Sequence, residues 1–253
     1  MRHLTLVILL LSVLTGCSMF KGKPENQEKW PVERFYQEAQ RAMKSEDYKL
    51  AIDRFEGLIS HFPFGPYAQQ AQLDIAYAYY KYNEPESAVG AADQFIKLYP
   101  RSEHVDYAYY IKGLARFPHA DFLEKKFDLD LAQRDLQSLQ DSFRDFAELT
   151  QRYPASRYAE DARQRMIFLR NALARDEMYA AEFYMRKGAY AAVVNRTKYV
   201  IEHYDRTPSV PGALEMMARA YDHLGMPKLA EATRRVLALN FPGKQSSPGQ
   251  PRE

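Results

Sequence analysis

Apolar and small residues recur at three- and four-residue spacing along most of the chain, and residues 62–81, FPFGPYAQQAQLDIAYAYYK, show the pattern most clearly. After Pro66, the positions Ala68, Ala71, Leu73, Ala76, Tyr77 and Tyr80 follow a helical period. Pro63 and Pro66 lack an N–H and drive the residue before them out of the helical region. Gly65 between them relaxes the backbone. The stretch predicts the end of one helix, a sharp corner and the start of the next.

The same grammar returns along the chain. Residues 35–63 place Phe35, Ala39, Ala42, Ala51, Phe55 and Pro63 where a tetratricopeptide (TPR) unit wants its bulky, small, small, alanine, aromatic and closing-proline positions. The next unit has Ala76, Tyr79, Ala88, Ala92, Phe95 and Pro100, and a last one has Ala218, Tyr221, Ala230, Leu237 and Pro242. A middle unit closes with Phe146, Leu149 and Pro154. Another, residues 190–205, repeats residues 48–63 at an offset of 142, with Asp205 in place of the closing proline. Small residues let paired helices approach, and the aromatics fill the groove between units. The expected fold is all-α, a right-handed superhelix of about five TPR helix pairs.

Closing positions 63, 100, 154, 205 and 242 are separated by 37, 54, 51 and 37 residues. Against a usual repeat of about 34, the two middle gaps each carry roughly 17 to 20 extra residues. In the first, an insertion at about 116–135, the chain breaks at Pro118 and reads as a loop with a short helix. In the second, residues 157–187 hold no proline or glycine and predict one long helix. That helix divides the repeats into an N-terminal half, 32–157, and a C-terminal half, 158–242.

The two ends read differently. Arg2 and His3 precede an apolar run, residues 4–14, which is too short to span a bilayer and has the layout of a secretory signal. It ends in Leu14-Thr15-Gly16-Cys17, which resembles a bacterial lipobox, so residues 1–16 are expected to be cleaved and Cys17 lipidated. Several acyl chains on one residue anchor stably. Ser18 after the cysteine points, by resemblance to lipoprotein sorting, to the outer membrane. Cys17 is the only cysteine, so no internal disulfide can form. Residues 17–31 form a polar tether, in which Trp30 has either lipid or the folded domain to rest on. Residues 243–253 are expected to be a disordered tail.

Composition adds exclusions. With 27% charged and 46% hydrophobic residues the chain is of the soluble, folded class. A net charge of +2 gives no case for nucleic acid. The sequence carries no H-E-x-x-H, G-x-S-x-G or P-loop motif, and its histidines are scattered. His61 and His203 share one repeat position, which points to packing or capping rather than to a metal. No enzyme, metal or cofactor is expected.

The tyrosines carry more information. There are 19, clustered in YAYYKY at 77–82 and YAYY at 107–110, and only some can face the helix seam, as Tyr79 does. The first helix of each TPR pair lines the concave surface. Phasing puts Tyr36, Gln40, Gln70, Leu73, Tyr77, Tyr80, Lys81, Tyr109 and Lys112 there. Rigid aromatic surface with hydroxyls, plus lysines to meet a carboxylate, suits an extended peptide. The alternative is that these tyrosines only pack between repeats.

The strings FPFGPYAQQAQLDIAYAYYK, DYAYYIKGLARF, QRYPASRYAEDA and AAVVNR resemble the BamD family, the TPR lipoproteins of the outer-membrane β-barrel assembly machine. The resemblance runs from the lipobox to about Pro242. It implies five TPRs, a lipid anchor in the outer membrane facing the periplasm, and no catalysis. It further implies a union with BamA through a POTRA domain, binding of BamC and BamE, and reception of unfolded barrel precursors. Arg196, in the VVNR string, matches the arginine of the family's BamA-facing region, so the C-terminal half is expected to face BamA. The groove around Tyr36, Tyr77, Tyr80 and Lys81 would then take the precursor's C-terminal signal, an aromatic residue with a free carboxylate. The insertion, FPHADFLEKKFDLDLAQ, departs from the family pattern. Two other readings stay open: a different TPR lipoprotein, such as a secretin pilotin, and an α-superhelical cell-wall enzyme.

Overall fold

The structure, a computed structural model, describes residues 29–118 and 136–243. The leader, Cys17, most of the tether, nearly all of the insertion and the tail beyond 243 lie outside the described residues, and so do the expectations made for them. Ten α-helices occur among the described residues: α1 (Val32–Lys44), α2 (Tyr48–His61), α3 (Pro66–Lys81), α4 (Pro85–Leu98), α5 (Val105–Arg116), α6 (Leu136–Arg152), α7 (Ala159–Arg186), α8 (Tyr190–His203), α9 (Val210–His223) and α10 (Pro227–Asn240). The expected all-helical TPR fold is what the chain adopts. Two compact units divide it, residues 1–71 and 72–253. In the first, α1 packs on α2; in the second, α4 through α9 each pack on the next helix in the chain.

Four of the helix pairs are joined by the same short turn. Glu46, Asn83, Gly188 and Gly225 all take positive φ (59°, 63°, 72° and 71°), each two residues before the next helix begins. The following N–H returns to the preceding helix in a Schellman-type closure: Asp47 to the Ala42 carbonyl at 2.9 Å, Glu84 to Tyr79 at 3.0 Å, Ala189 to Tyr184 at 3.0 Å and Met226 to Tyr221 at 2.9 Å. Most of the connection between α5 and α6 lies outside the described residues.

The second helix of each pair ends on an aromatic. Phe62, Tyr99, Tyr153, Tyr204 and Phe241 donate their N–H to the carbonyl four residues back, at 2.8–2.9 Å, and the chain then leaves the helix. Proline follows four of them and forbids helical geometry at the aromatic. Tyr204 leaves the helix in a similar conformation, φ −127° and ψ 40°, ahead of Asp205. The repeat alignment survives in detail, since α2 and α8 have identical length at the offset of 142. His61 and His203 each place Nδ1 on the carbonyl four residues back, at 2.8 and 3.2 Å. That is the capping role expected of this position.

Packing follows the repeat code. Ala39, Ala42, Ala51, Ala76, Ala88, Ala92, Ala218 and Ala230 are at most 2% exposed, and Phe35, Phe55, Phe95 and Phe146 are fully buried. In the third pair Gly113 replaces the alanine, for a steric reason: a Cβ there would lie 2.4 Å from Cε1 of Phe146. Ser142 on the facing helix donates to the Gly113 carbonyl at 2.9 Å. The proline-free stretch after 157 is the 28-residue α7, the longest helix among the described residues.

Candidate functional site

In the first unit Tyr36 is half-buried. Its ring lies 6.2 Å from Phe55 and 5.4 Å from Tyr67, and its hydroxyl accepts from Gln40 Nε2 at 3.1 Å. Gln70 sits half-buried in the second turn of α3. Trp30, undecided from sequence, rests on the protein: it is 6% exposed, with its ring 5.2 Å from Phe35 and the guanidinium groups of Arg34 and Arg54 over its faces at 4.4 and 5.3 Å.

In the second unit Tyr77 and Tyr80 are half-buried neighbours, ring centres 6.0 Å apart, and Lys81 is exposed. Tyr79 and Tyr80 pack against Ala88, Val89 and Ala115, so Tyr79 belongs to the seam as the phasing required. Two expected groove residues lie in the core instead. Leu73 and Tyr109 are 3% and 4% exposed and offer almost no surface to a ligand. Helical phasing cannot separate the two flanks of an inner helix, and these positions turn inward. Lys112 is also engaged within the chain, bonded to Asp93 at 2.8 Å and to the buried Asp145 at 3.2 Å, while Arg116 meets Asp145 at 2.8 Å. Burial works against the Lys112 charge, but the hydrogen bonds and charges of Asp93 and Asp145 outweigh it and raise its pKa. A lysine committed to two carboxylates is a poor receptor for a third.

Sequence reasoning missed the aromatic cluster that the fold assembles beside Tyr77. Tyr158, just before α7, stacks on Tyr110 at 4.8 Å and on Tyr107 at 5.1 Å, joining segments 48 residues apart. The exposed Arg157 lies 4.7 Å from the centre of the Tyr158 ring and donates to its hydroxyl. Tyr110 donates to Asp161 at 2.6 Å, and Arg165 does the same at 2.6 Å. Burial, then the bond to Asp161, pushes the Tyr110 phenol up to about 12, and burial raises Tyr107 as well. Both stay neutral hydroxyl donors at physiological pH. Tyr158 belongs to no periodic pattern shared with α5, so only proximity in space could reveal the stack.

Arg196 projects from α8 with its side chain 45% exposed, and its guanidinium bonds Glu177 of α7 at 2.9 Å. Nearby, Tyr199 stacks on His203 at 4.1 Å and meets Tyr204 edge-on at 5.8 Å. Burial, followed by the Tyr199 and Glu177 charges, raises Tyr204 to about 12. Among the described residues no group of three or more histidine, cysteine or acidic side chains is placed to hold a metal ion, and no helix is long and apolar enough to cross a membrane.

The model of the YfiO family, described as an outer membrane lipoprotein, matches residues 28–237. The outer membrane protein assembly factor BamD of Neisseria meningitidis serogroup B is 40% identical over 247 residues, covering 96% of this chain and 92% of that protein. This chain belongs to the BamD family. BamD of Xylella fastidiosa is 38% identical, over 95% of this chain and 82% of its own, and BamD of Vibrio cholerae is 37% identical, over 95% and 99%. A solved TPR protein of Thermus thermophilus matches at a TM-score of only 0.38 and 13% identity, over 85% of this chain and 93% of its own, and adds nothing to that assignment. BamD relatives are outer membrane protein assembly factors rather than enzymes. Membership places this chain's work at the outer membrane.

Proposed function

We propose that this chain is a lipid-anchored scaffold and receptor of the β-barrel assembly complex, held on the periplasmic face of the outer membrane through Cys17. The family match over residues 28–237 carries the reading. In it, the C-terminal half, 158–242, docks on a POTRA domain of BamA with Arg196 at the contact. BamC and BamE are further partners. Unfolded barrel precursors are received on the tyrosine-bearing surfaces, through Tyr36, Gln40 and Gln70 in the first unit and Tyr77, Tyr80 and Lys81 in the second.

The state of Arg196 supports this role. Its guanidinium is oriented by Glu177 while the side chain remains 45% exposed, so a partner carboxylate can share it at little cost to the fold. Arg196→Glu is expected to reduce copurification of BamA from detergent-solubilised outer membrane by an order of magnitude or more, with the helical circular dichroism unchanged. Full recovery of BamA with that variant would remove Arg196 from the interface.

A further inference from the structure

The corner between α2 and α3 displays an apolar side chain that nothing in its own unit covers. Phe64 is 89% exposed, the highest exposure of any large hydrophobic residue among those described. It does not hang on a loose loop. Pro63 and Pro66 lock φ on either side, and Gly65 turns the chain at φ +99°, so the ring is presented from a stiff corner. The adjoining sequence carries no charge. From residue 57 to residue 73 there is no Asp, Glu, Lys or Arg, in a chain of which 27% is charged.

The first unit also shows where its tether leaves. Trp30 is buried on Phe35, and Phe35 touches both His61, at 5.3 Å, and Phe62, at 6.2 Å. The start of α1 and the end of α2 therefore meet in one aromatic cluster, and Phe64 follows Phe62 by two residues. The chain emerges at the same end of this helix pair as the Phe64 corner. Between Cys17 and Trp30 lie only residues 18–29, a length that cannot span more than about 45 Å.

We propose that Phe64 is an interfacial anchor that enters the boundary between lipid headgroups and acyl chains and holds the first helix pair against the bilayer. The proposal rests on the reading of Cys17 as the lipid attachment. A tether that leaves from the Phe64 end lets that end reach the membrane surface directly. A charge-free corner bearing an exposed aromatic ring can enter the interface without burying an ion, and rigidity means that little conformational freedom is lost on entry.

The test moves the tryptophan. The chain has a single tryptophan, the buried Trp30. A Trp30→Phe, Phe64→Trp variant, purified from membranes with its lipid, is reconstituted into phosphatidylcholine–phosphatidylglycerol vesicles with brominated acyl chains. Emission from the relocated indole is expected to shift to the blue and to lose more than half its intensity to bromine, while the native chain's Trp30 keeps its emission. Unquenched, red emission from variant that cosediments with the vesicles would overturn the proposal. Failure to cosediment would instead overturn the anchor reading. In that event the Cys17 thiol is coupled to a maleimide-headgroup lipid in the same vesicles, and the same quenching criterion decides. Blue-shifted emission only on addition of a polypeptide would assign Phe64 to a protein partner and also overturn the membrane proposal.

Discussion

Gly113 shows how one missing methyl group holds a repeat together. Its carbonyl accepts from Ser142, and the space a Cβ would need is filled by Phe146, whose ring also meets Phe117 at 6.1 Å. Phe146 is fully buried and has nowhere to go. Gly113→Ala is therefore expected to destabilise the fold by about 1–3 kcal/mol, against the usual gain from replacing a helical glycine. Urea denaturation reads the result, and an unchanged midpoint would refute the packing argument. The glycine stands in the string DYAYYIKGLARF, but nothing there says which phenylalanine faces it. The alanines of the other repeats were legible from spacing, since their role repeats. Lys112 was misread at the same scale: its phase on α5 is visible in sequence, whereas Asp145, which engages it, comes from α6.

At the scale of the element, the turns between paired helices obey one backbone rule with unequal residues. Four share a left-handed position, filled by glycine twice, by Asn83 and by Glu46. Asparagine tolerates this region, while glutamate does so at a steric cost of about 1–2 kcal/mol. Glu46→Gly is expected to recover roughly 1 kcal/mol, since glycine's own entropy offsets part of the relief. Gly188→Ala, at the equivalent turn, is expected to lose a similar amount. The pair of urea midpoints should move in opposite directions, and movement in the same direction would contradict the shared geometry. The long α7 was legible from its lack of breakers, and the aromatic helix ends from the prolines after them.

At the scale of the molecule, inter-repeat tyrosines make stability sensitive to alkali. The phenols of Tyr110 and Tyr204 rise from the ordinary 10.0 to about 12 in the folded chain, chiefly through burial. Below pH 10 they are neutral in both states and their contribution is fully present. Between pH 10 and 12 the unfolded chain releases protons that the folded chain keeps, so stability falls as pH rises. The urea midpoint should decline across that window, and less steeply in a Tyr110→Phe, Tyr204→Phe variant. Equal slopes would mean that these hydroxyls are not shielded by the fold.

The periodicity of small, aromatic and breaker residues determined the class of fold, the pairing of helices and the place of each corner, because those are local rules repeated at a near-constant interval. Family membership was legible as well, through strings longer than any generic repeat requires. Which flank of an inner helix turns to the core was decided only in three dimensions. Leu73 and Tyr109 are buried because their neighbours close over them, and Tyr107, Tyr110 and Tyr158 stack because α5 and the start of α7 meet. Contacts of that kind depend on how one repeat leans on the next, and no interval along the chain records that angle.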